Sequence, residues 1–159
     1  MKPLLILGDA PCLERDLTRI PVDWFDVMVL NRVGFRYLGE IKFWVSYHPG
    51  NFRDWKLARA RLGGLNGYRT LSPWPFEDQV DEVLLGPPVP SGSTALLGAC
   101  YGLRLGYERI LLAGCPLDAK TYHVYRRGFE AHAGLLAGRV LSLSGWTRDF
   151  LEGLCARVR

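Results

Sequence analysis

The sequence predicts an α/β domain in which a mostly parallel sheet lies between two layers of helix. Two observations carry that prediction. Short apolar runs of strand length recur along the chain and alternate with stretches of helical spacing, as βα units do. The runs also end at Gly, Asn or His, the residues expected where a buried strand surfaces into a turn. Bulk composition agrees. A length of 159 residues suits one domain with a real core, and 48% apolar with 12% aromatic content excludes a disordered tail.

Leu4–Leu7 reads as the first strand, and Gly8-Asp9-Ala10-Pro11-Cys12-Leu13 as its turn into a short helix over 13–17. Residues 27–30 form a second strand that ends at Asn31, and 43–47 a third that ends at His48-Pro49-Gly50. Helical spacing over 52–62 stops at Gly63-Gly64. A weak strand at 68–71 precedes Ser72-Pro73-Trp74-Pro75, read as irregular. The Pro-rich stretch 86–90 is a stiff lead into Ser91-Gly92-Ser93-Thr94. A helix over 94–105 follows, with Gly98, Ala99 and Gly102 permitting close approach to a sheet and Gly106 ending it. The continuous apolar run at 110–113 is a strand covered on both faces, ending at Gly114. A helix over 126–136, a strand over 140–143 and a helix over 147–154 complete the chain, the last capped by Thr147. No repeat or long linker divides the chain, so 1–159 is read as one domain.

A formal net charge of +4 favours an anionic ligand but does not indicate nucleic acid, for which both motif and aromatic interleaving are missing. The basic segment holding Arg53, Lys56, Arg59 and Arg61 reads as a solvated helix face. Apolar runs are too short and broken for a membrane span, and MKPLLILGD is too short for a signal peptide, so a cytoplasmic protein is expected. Four cysteines (Cys12, Cys100, Cys115 and Cys155) stand at wide spacings with no Cys/His ligand pattern, as reduced thiols in a core or at strand ends would.

The chemistry-bearing residues sit at strand ends and helix starts. Ser91-Gly92-Ser93-Thr94 offers hydroxyls and free backbone N–H groups at the positive end of a helix dipole. Together with the Gly8 turn it predicts a site for a phosphorylated ligand above the carboxyl ends of the strands, which Asn31, His48 and Asp118 would line. Walker, dinucleotide, zinc-protease and nucleophile-elbow motifs are all missing. Ser144 and Gly145, in a further strand-to-helix turn, read either as a plain turn or as another wall of the same pocket.

The string G-x-x-P-x-L at Gly8, an Asn closing the second strand, the Ser91-Gly92-Ser93 helix start, and Leu105-Gly106-Tyr107 leading through Ile110 to Gly114 and Asp118 resembles the bacterial sialyltransferases of glycosyltransferase family 42. It is also similar to the related 6-hydroxymethylpterin pyrophosphokinase-like proteins. The resemblance implies a Rossmann-like three-layer domain in which Gly8, Asp9, Ala10, Pro11 and Asn31 hold a cytidine nucleotide. It implies that Ser91, Gly92 and Ser93 hold the donor sugar or its phosphate, and that Gly114 to Asp118 touch base or ribose. His48 stands where the sialyltransferases carry Asn. Family members carry a lid with tyrosines at the phosphate and a histidine as base; here only 119–139 is free to form one, and it is short. Within it Tyr122, Tyr125, Arg126 and Arg127 would neutralise the leaving phosphate, and His123, ahead of His132, would be the base.

Three functions follow as expectations. The first is a sialyltransferase-like transferase using a cytidine-nucleotide sugar and no cofactor. The second is diphosphate transfer from ATP to a pterin-like alcohol, which needs Mg²⁺ and has only Asp9 and Asp118 as well-placed acids. The third is a non-catalytic nucleotide-binding or assembly module. The partner in each is a small nucleotide or nucleotide-sugar, and Trp74, as an exposed aromatic, is compatible with a homo-oligomer contact that completes the lid.

Overall fold

Leu4 and Ile6 point to one side of the first strand, Leu5 and Leu7 to the other, and all four are fully buried. A strand covered on both faces must lie inside a sheet sandwiched by helices. The computed structural model, which describes residues 2–87 and 90–157, shows that arrangement. Seven strands, β1 (Leu4–Leu7), β2 (Asp26–Leu30), β3 (Phe43–Val45), β4 (Arg69–Ser72), β5 (Glu82–Val83), β6 (Ile110–Ala113) and β7 (Val140–Ser142), form one sheet in the order β5-β4-β3-β2-β1-β6-β7. Every neighbouring pair is parallel. The helices are α1 (Leu13–Leu17), α2 (Val33–Arg36), α3 (Phe52–Arg61), α4 (Thr94–Arg104), α5 (His123–Ala131), α6 (Ala133–Leu136) and α7 (Gly145–Arg157). Among the described residues no helix is long and apolar enough to cross a membrane.

The two core layers follow from strand alternation. Leu4, Ile6, Met28, Leu30, Phe43 and Val45 pack with α4, with Phe129 of α5 and with Leu151 of α7. Leu5, Leu7, Val27, Val29 and Trp44 pack with α1, α2 and Phe52 of α3. Each large side chain buried this way contributes about 1.5–3 kcal/mol. Gly98 and Gly102 let α4 lie against the sheet, because a Cβ on either would press on Met28, or on Leu4 and Ile110.

The element boundaries differ from expectation mainly where strands are short. β3 stops at Val45, before Tyr47, and Ser72 belongs to β4 rather than to the irregular segment. The 126–136 helix is two helices, α5 starting earlier at His123 and breaking at His132. Thr147 lies inside α7 instead of capping it, with its side chain fully buried. β5 and α2 went unforeseen, since two and four residues are too few to show a period. The stiff 86–90 lead lies partly outside the described residues, which omit 88 and 89.

The basic segment is the sharpest correction. Arg53 and Lys56 do face outward, the first paired with Glu77, but Arg59 is fully buried. Its guanidinium donates to the backbone carbonyls of Gly34, Tyr37, Gly39 and Leu65, which ties α3 to the loop after α2. Five N–H donors in one plane suit that task, and no carboxylate is needed.

Candidate functional site

The chain runs outward from β1 to β5, then crosses back to β6 on the other side of β1. The carboxyl ends of β1 and β6 therefore diverge into loops on opposite sides, and a crevice opens between them. Gly8 and Gly114 form its floor. A Cβ on Gly8 would overlap the Gly114 carbonyl and the Cys115 sulfur, and one on Gly114 would overlap the Gly8 carbonyl. Gly114 also has a φ of 65°, a conformation that only glycine adopts freely. Ala10 N–H donates to the Gly114 carbonyl at 3.2 Å, so the first turn is strapped to the end of β6.

Above this floor lies a cavity of 770 Å³. Of the residues predicted from sequence, Gly8, Asp9, Ala10, Pro11, Asn31, His48, Gly92, Ser93, Gly114, Asp118 and Tyr122 line it. The 8–13 and 91–94 loops thus converge on one space. Ser91 and His123 do not line it. Ser91 packs against Gly128 of α5, and its hydroxyl accepts the Ser93 N–H. His123 is exposed, with Nδ1 3.4 Å from the Lys120 carbonyl oxygen. His132 is buried against the Gly128 carbonyl at 2.7 Å. His48 is the histidine that the cavity holds.

The α4 end behaves as its sequence implies. Ser93 is the N-cap, its hydroxyl accepting from Leu96 N–H, which leaves the Thr94 and Ala95 amides at the cavity without carbonyls a turn back. Asn31 has a φ of 49°, and its carbonyl is held by the indole N–H of buried Trp44 at 2.7 Å. Its side chain is tied to Ser46 and Thr94.

Several lining residues were not foreseen. Arg15, Arg32 and Cys12 join the cavity beside the expected Tyr125 and the Cys115 of the 114–118 stretch, and Ser144 and Gly145 form the further wall that was one of two readings for them. Tyr122 and Tyr125 stack with ring centroids 5.6 Å apart. Arg126 instead donates to the carbonyls of Leu117 and Asp118 and lies over the Trp146 ring, so it builds the wall rather than facing the space. Burial pushes the Cys115 thiol up to about 12, and burial with Asp16 nearby raises Cys12, so both stay protonated at neutral pH.

Asp16 is the organising residue that the sequence reading passed over. It is fully buried, takes the Gly114 N–H on one oxygen at 2.9 Å and the Ser144 hydroxyl on the other. One carboxylate thereby fixes α1, the end of β6 and the turn before α7. The available signal was an acid in the apolar-flanked L-E-R-D-L stretch.

The two acids a Mg²⁺ ion would use do not fit it. Both Asp9 oxygens are engaged, one by Arg32 at 2.7 Å and the other by Arg36 at 2.6 Å. Asp118 accepts the Trp146 N–H at 2.7 Å and so sits at the amino end of α7. Among the described residues no group of three or more His, Cys, Asp or Glu could hold a metal ion.

Solved structures share this architecture. The chain is similar to the sialyltransferase CstII from Campylobacter jejuni in complex with the substrate analogue cytidine-5'-monophosphate, with a TM-score of 0.59, 19% identity, and 90% of this chain and 80% of that one covered. Monofunctional alpha-2,3-sialyltransferase Cst-I from Campylobacter jejuni matches with a TM-score of 0.58 at 16% identity, over 90% of this chain and 76% of that one. CstII in complex with CMP-3FNeuAc matches at 0.57 and 17%, over 91% of this chain and 80% of that one. At such identities the likeness establishes the fold, a Rossmann-like α/β domain. These neighbours lend nothing to the pyrophosphokinase-like half of the resemblance. No protein-family model matches the chain, and no curated protein does.

Proposed function

We propose that the cavity binds a cytidine nucleotide and its sugar conjugate, and that the chain is a sialyltransferase-like glycosyltransferase. The observation that carries this reading is the meeting of the Gly8 turn, Gly114 and the α4 amino end on one cavity at the sheet's switch point. Neighbours solved with cytidine-5'-monophosphate and CMP-3FNeuAc support the choice of nucleotide. A phosphate meets favourable groups here: the Thr94 and Ala95 amides, Arg15 and Arg32, and the stacked tyrosines Tyr122 and Tyr125.

In transfer, the acceptor oxygen bonds to the anomeric carbon, the bond from that carbon to the phosphate oxygen breaks, and cytidine monophosphate leaves. The acceptor's proton passes to a base. His48 has the position for that role, because it lines the cavity and His123 does not. The placement of His123 also favours a second reading, nucleotide binding without transfer. Calorimetric titration with cytidine, uridine and adenosine monophosphates tests the binding. Cytidine monophosphate should bind most tightly, and no heat with any cytidine nucleotide at millimolar concentration would refute both readings. Release of cytidine monophosphate from its sialic acid conjugate, abolished by His48→Ala and kept by His123→Ala, selects transfer.

A further inference from the structure

Asn31 stands at the end of β2 with its backbone immobilised. Its N–H donates to the Val45 carbonyl at 3.0 Å, and its own carbonyl accepts from Trp44 at 2.7 Å. Only the carboxamide is left to meet a ligand, and which of its two ends does so depends on Ser46. The Ser46 hydroxyl is fully buried and already accepts the His48 N–H at 2.8 Å. Its single proton goes to Asn31 Oδ1, also at 2.8 Å. Were the carboxamide turned over, Nδ2 would donate to the remaining lone pair of Ser46 Oγ, and the buried Ser46 proton would lose its acceptor, at a cost of about 1–3 kcal/mol. On the other side Asn31 Nδ2 donates to Thr94 Oγ1 at 3.4 Å. Thr94 accepts in that bond, which leaves its own proton to turn toward the cavity.

We propose that Ser46 is a positioning residue that fixes Asn31 as a hydrogen-bond donor, so that the cavity meets a ligand oxygen at this point with an N–H group. The proposal rests on the nucleotide reading above. Such an oxygen is the carbonyl of a pyrimidine or an oxygen of a phosphate. Asn31 Nδ2 keeps a second N–H for it and the Thr94 hydroxyl is able to donate as well, and both residues line the cavity beside the first amides of α4. An ammonium group at the same place offers only donors and would find no lone pair on Asn31 Nδ2.

The orientation is read first without ligand. The side-chain amide of Asn31, identified by its loss in Asn31→Gly, should give stronger nuclear Overhauser contacts to Thr94 than to Ser46. The opposite order overturns the proposal. Glycine is the right replacement, because it tolerates the φ of 49°. Affinity is read second. Ser46→Ala should weaken cytidine monophosphate about tenfold, the loss of one well-aligned hydrogen bond, and should do nothing further in the Asn31→Gly protein. Equal losses in both backgrounds, or none in either, overturn the proposal. Ser46→Cys keeps the volume, weakens the donor and should behave as Ser46→Ala does. A loss that persists with cytidine assigns the oxygen to the nucleoside, and a loss confined to the monophosphate assigns it to the phosphate. A wild-type protein that binds neither ligand refutes the nucleotide reading, and the magnetic resonance arm then still decides the orientation.

Discussion

Replacing Asp16 by alanine removes the carboxylate on which three walls of the cavity hang. Two buried donors lose their acceptor, the Gly114 N–H and the Ser144 hydroxyl. Hydrogen bonds to a charged group contribute about 1.5–3 kcal/mol each, and the vacated space cannot fill with water held by the same geometry. A loss of about 3–5 kcal/mol follows. For a chain of this length each kcal/mol moves the melting midpoint by roughly 2–4 °C, so Asp16→Ala should melt roughly 6–20 °C early. Asp16→Asn separates hydrogen bonding from charge. Its amide oxygen can accept from Gly114 while its nitrogen donates to Ser144, whose hydroxyl simply turns around, and the loss falls to about 1–2 kcal/mol. Urea titration followed by circular dichroism measures both, and titration calorimetry with cytidine monophosphate follows the cavity. Equal stability of the alanine and asparagine variants, or an alanine variant within 1 kcal/mol or so of wild type, would show that Asp16 does not hold the walls together.

Arg59→Met should cost about 3–5 kcal/mol by stranding the carbonyls of Gly34, Tyr37, Gly39 and Leu65, and Arg59→Lys should not rescue it, since three donors cannot span four carbonyls; a lysine variant with the wild-type urea midpoint would refute this. Gly114→Ala should lower the melting midpoint and abolish nucleotide binding, because the new methyl meets the Gly8 carbonyl and Leu13 in a left-handed backbone, whereas Gly134→Ala, with open space around it, should be harmless. At Asp26 burial raises the carboxyl pKa, but hydrogen bonds from Lys42 and Tyr107 outweigh it and leave the value below the ordinary 3.8. The stability this gives is complete above the ordinary value and lost as pH falls through the lowered one. Urea midpoints for wild type and Asp26→Asn should therefore differ most near pH 7 and converge as pH falls below the ordinary carboxyl value and through the lowered one; a gap that persists once the carboxyl is protonated counts against the assignment.

What the chain discloses by itself depends on how much local information each feature carries. β1, α1 and β6 lie where they were expected, because β1 and β6 are apolar runs that end at Gly and α1 follows at once on the Gly8–Pro11 turn. The two turns that meet at the cavity were readable from their Gly, Pro and Ser residues. Arg59 was not. Its neighbours at 53, 56 and 61 are cations too, and nothing local shows that three of its four acceptors are carbonyls in α2 and the loop after it, some 20–25 residues earlier. Asp16 was hidden likewise, since Gly114 and Ser144 lie 98 and 128 residues away. Polar residues whose partners are all long-range look like surface until the fold is known.

His123 is a different matter, because helical phase alone places it. Tyr122, Tyr125, Arg126 and Phe129 follow one another at spacings of three, four and seven, which stack on one face of a helix. In the structure that face is the inward one. Phe129 is buried, Gly128 beside it presses on Ser91, Arg126 grips the Leu117 and Asp118 carbonyls, and the two tyrosines reach the cavity. His123 is a full residue out of phase and points away with Arg127 and Glu130, all three exposed. Proximity in sequence to the tyrosines made it attractive, but on a helix the adjacent residue is about 100° around the axis. The same pinning sets what the 119–139 segment does. Held by Arg126, Phe129 and Gly128, it offers the cavity a fixed wall of two aromatic rings. On the transfer reading proposed above, the base is then sought among groups on the sheet side, where His48 lines the cavity.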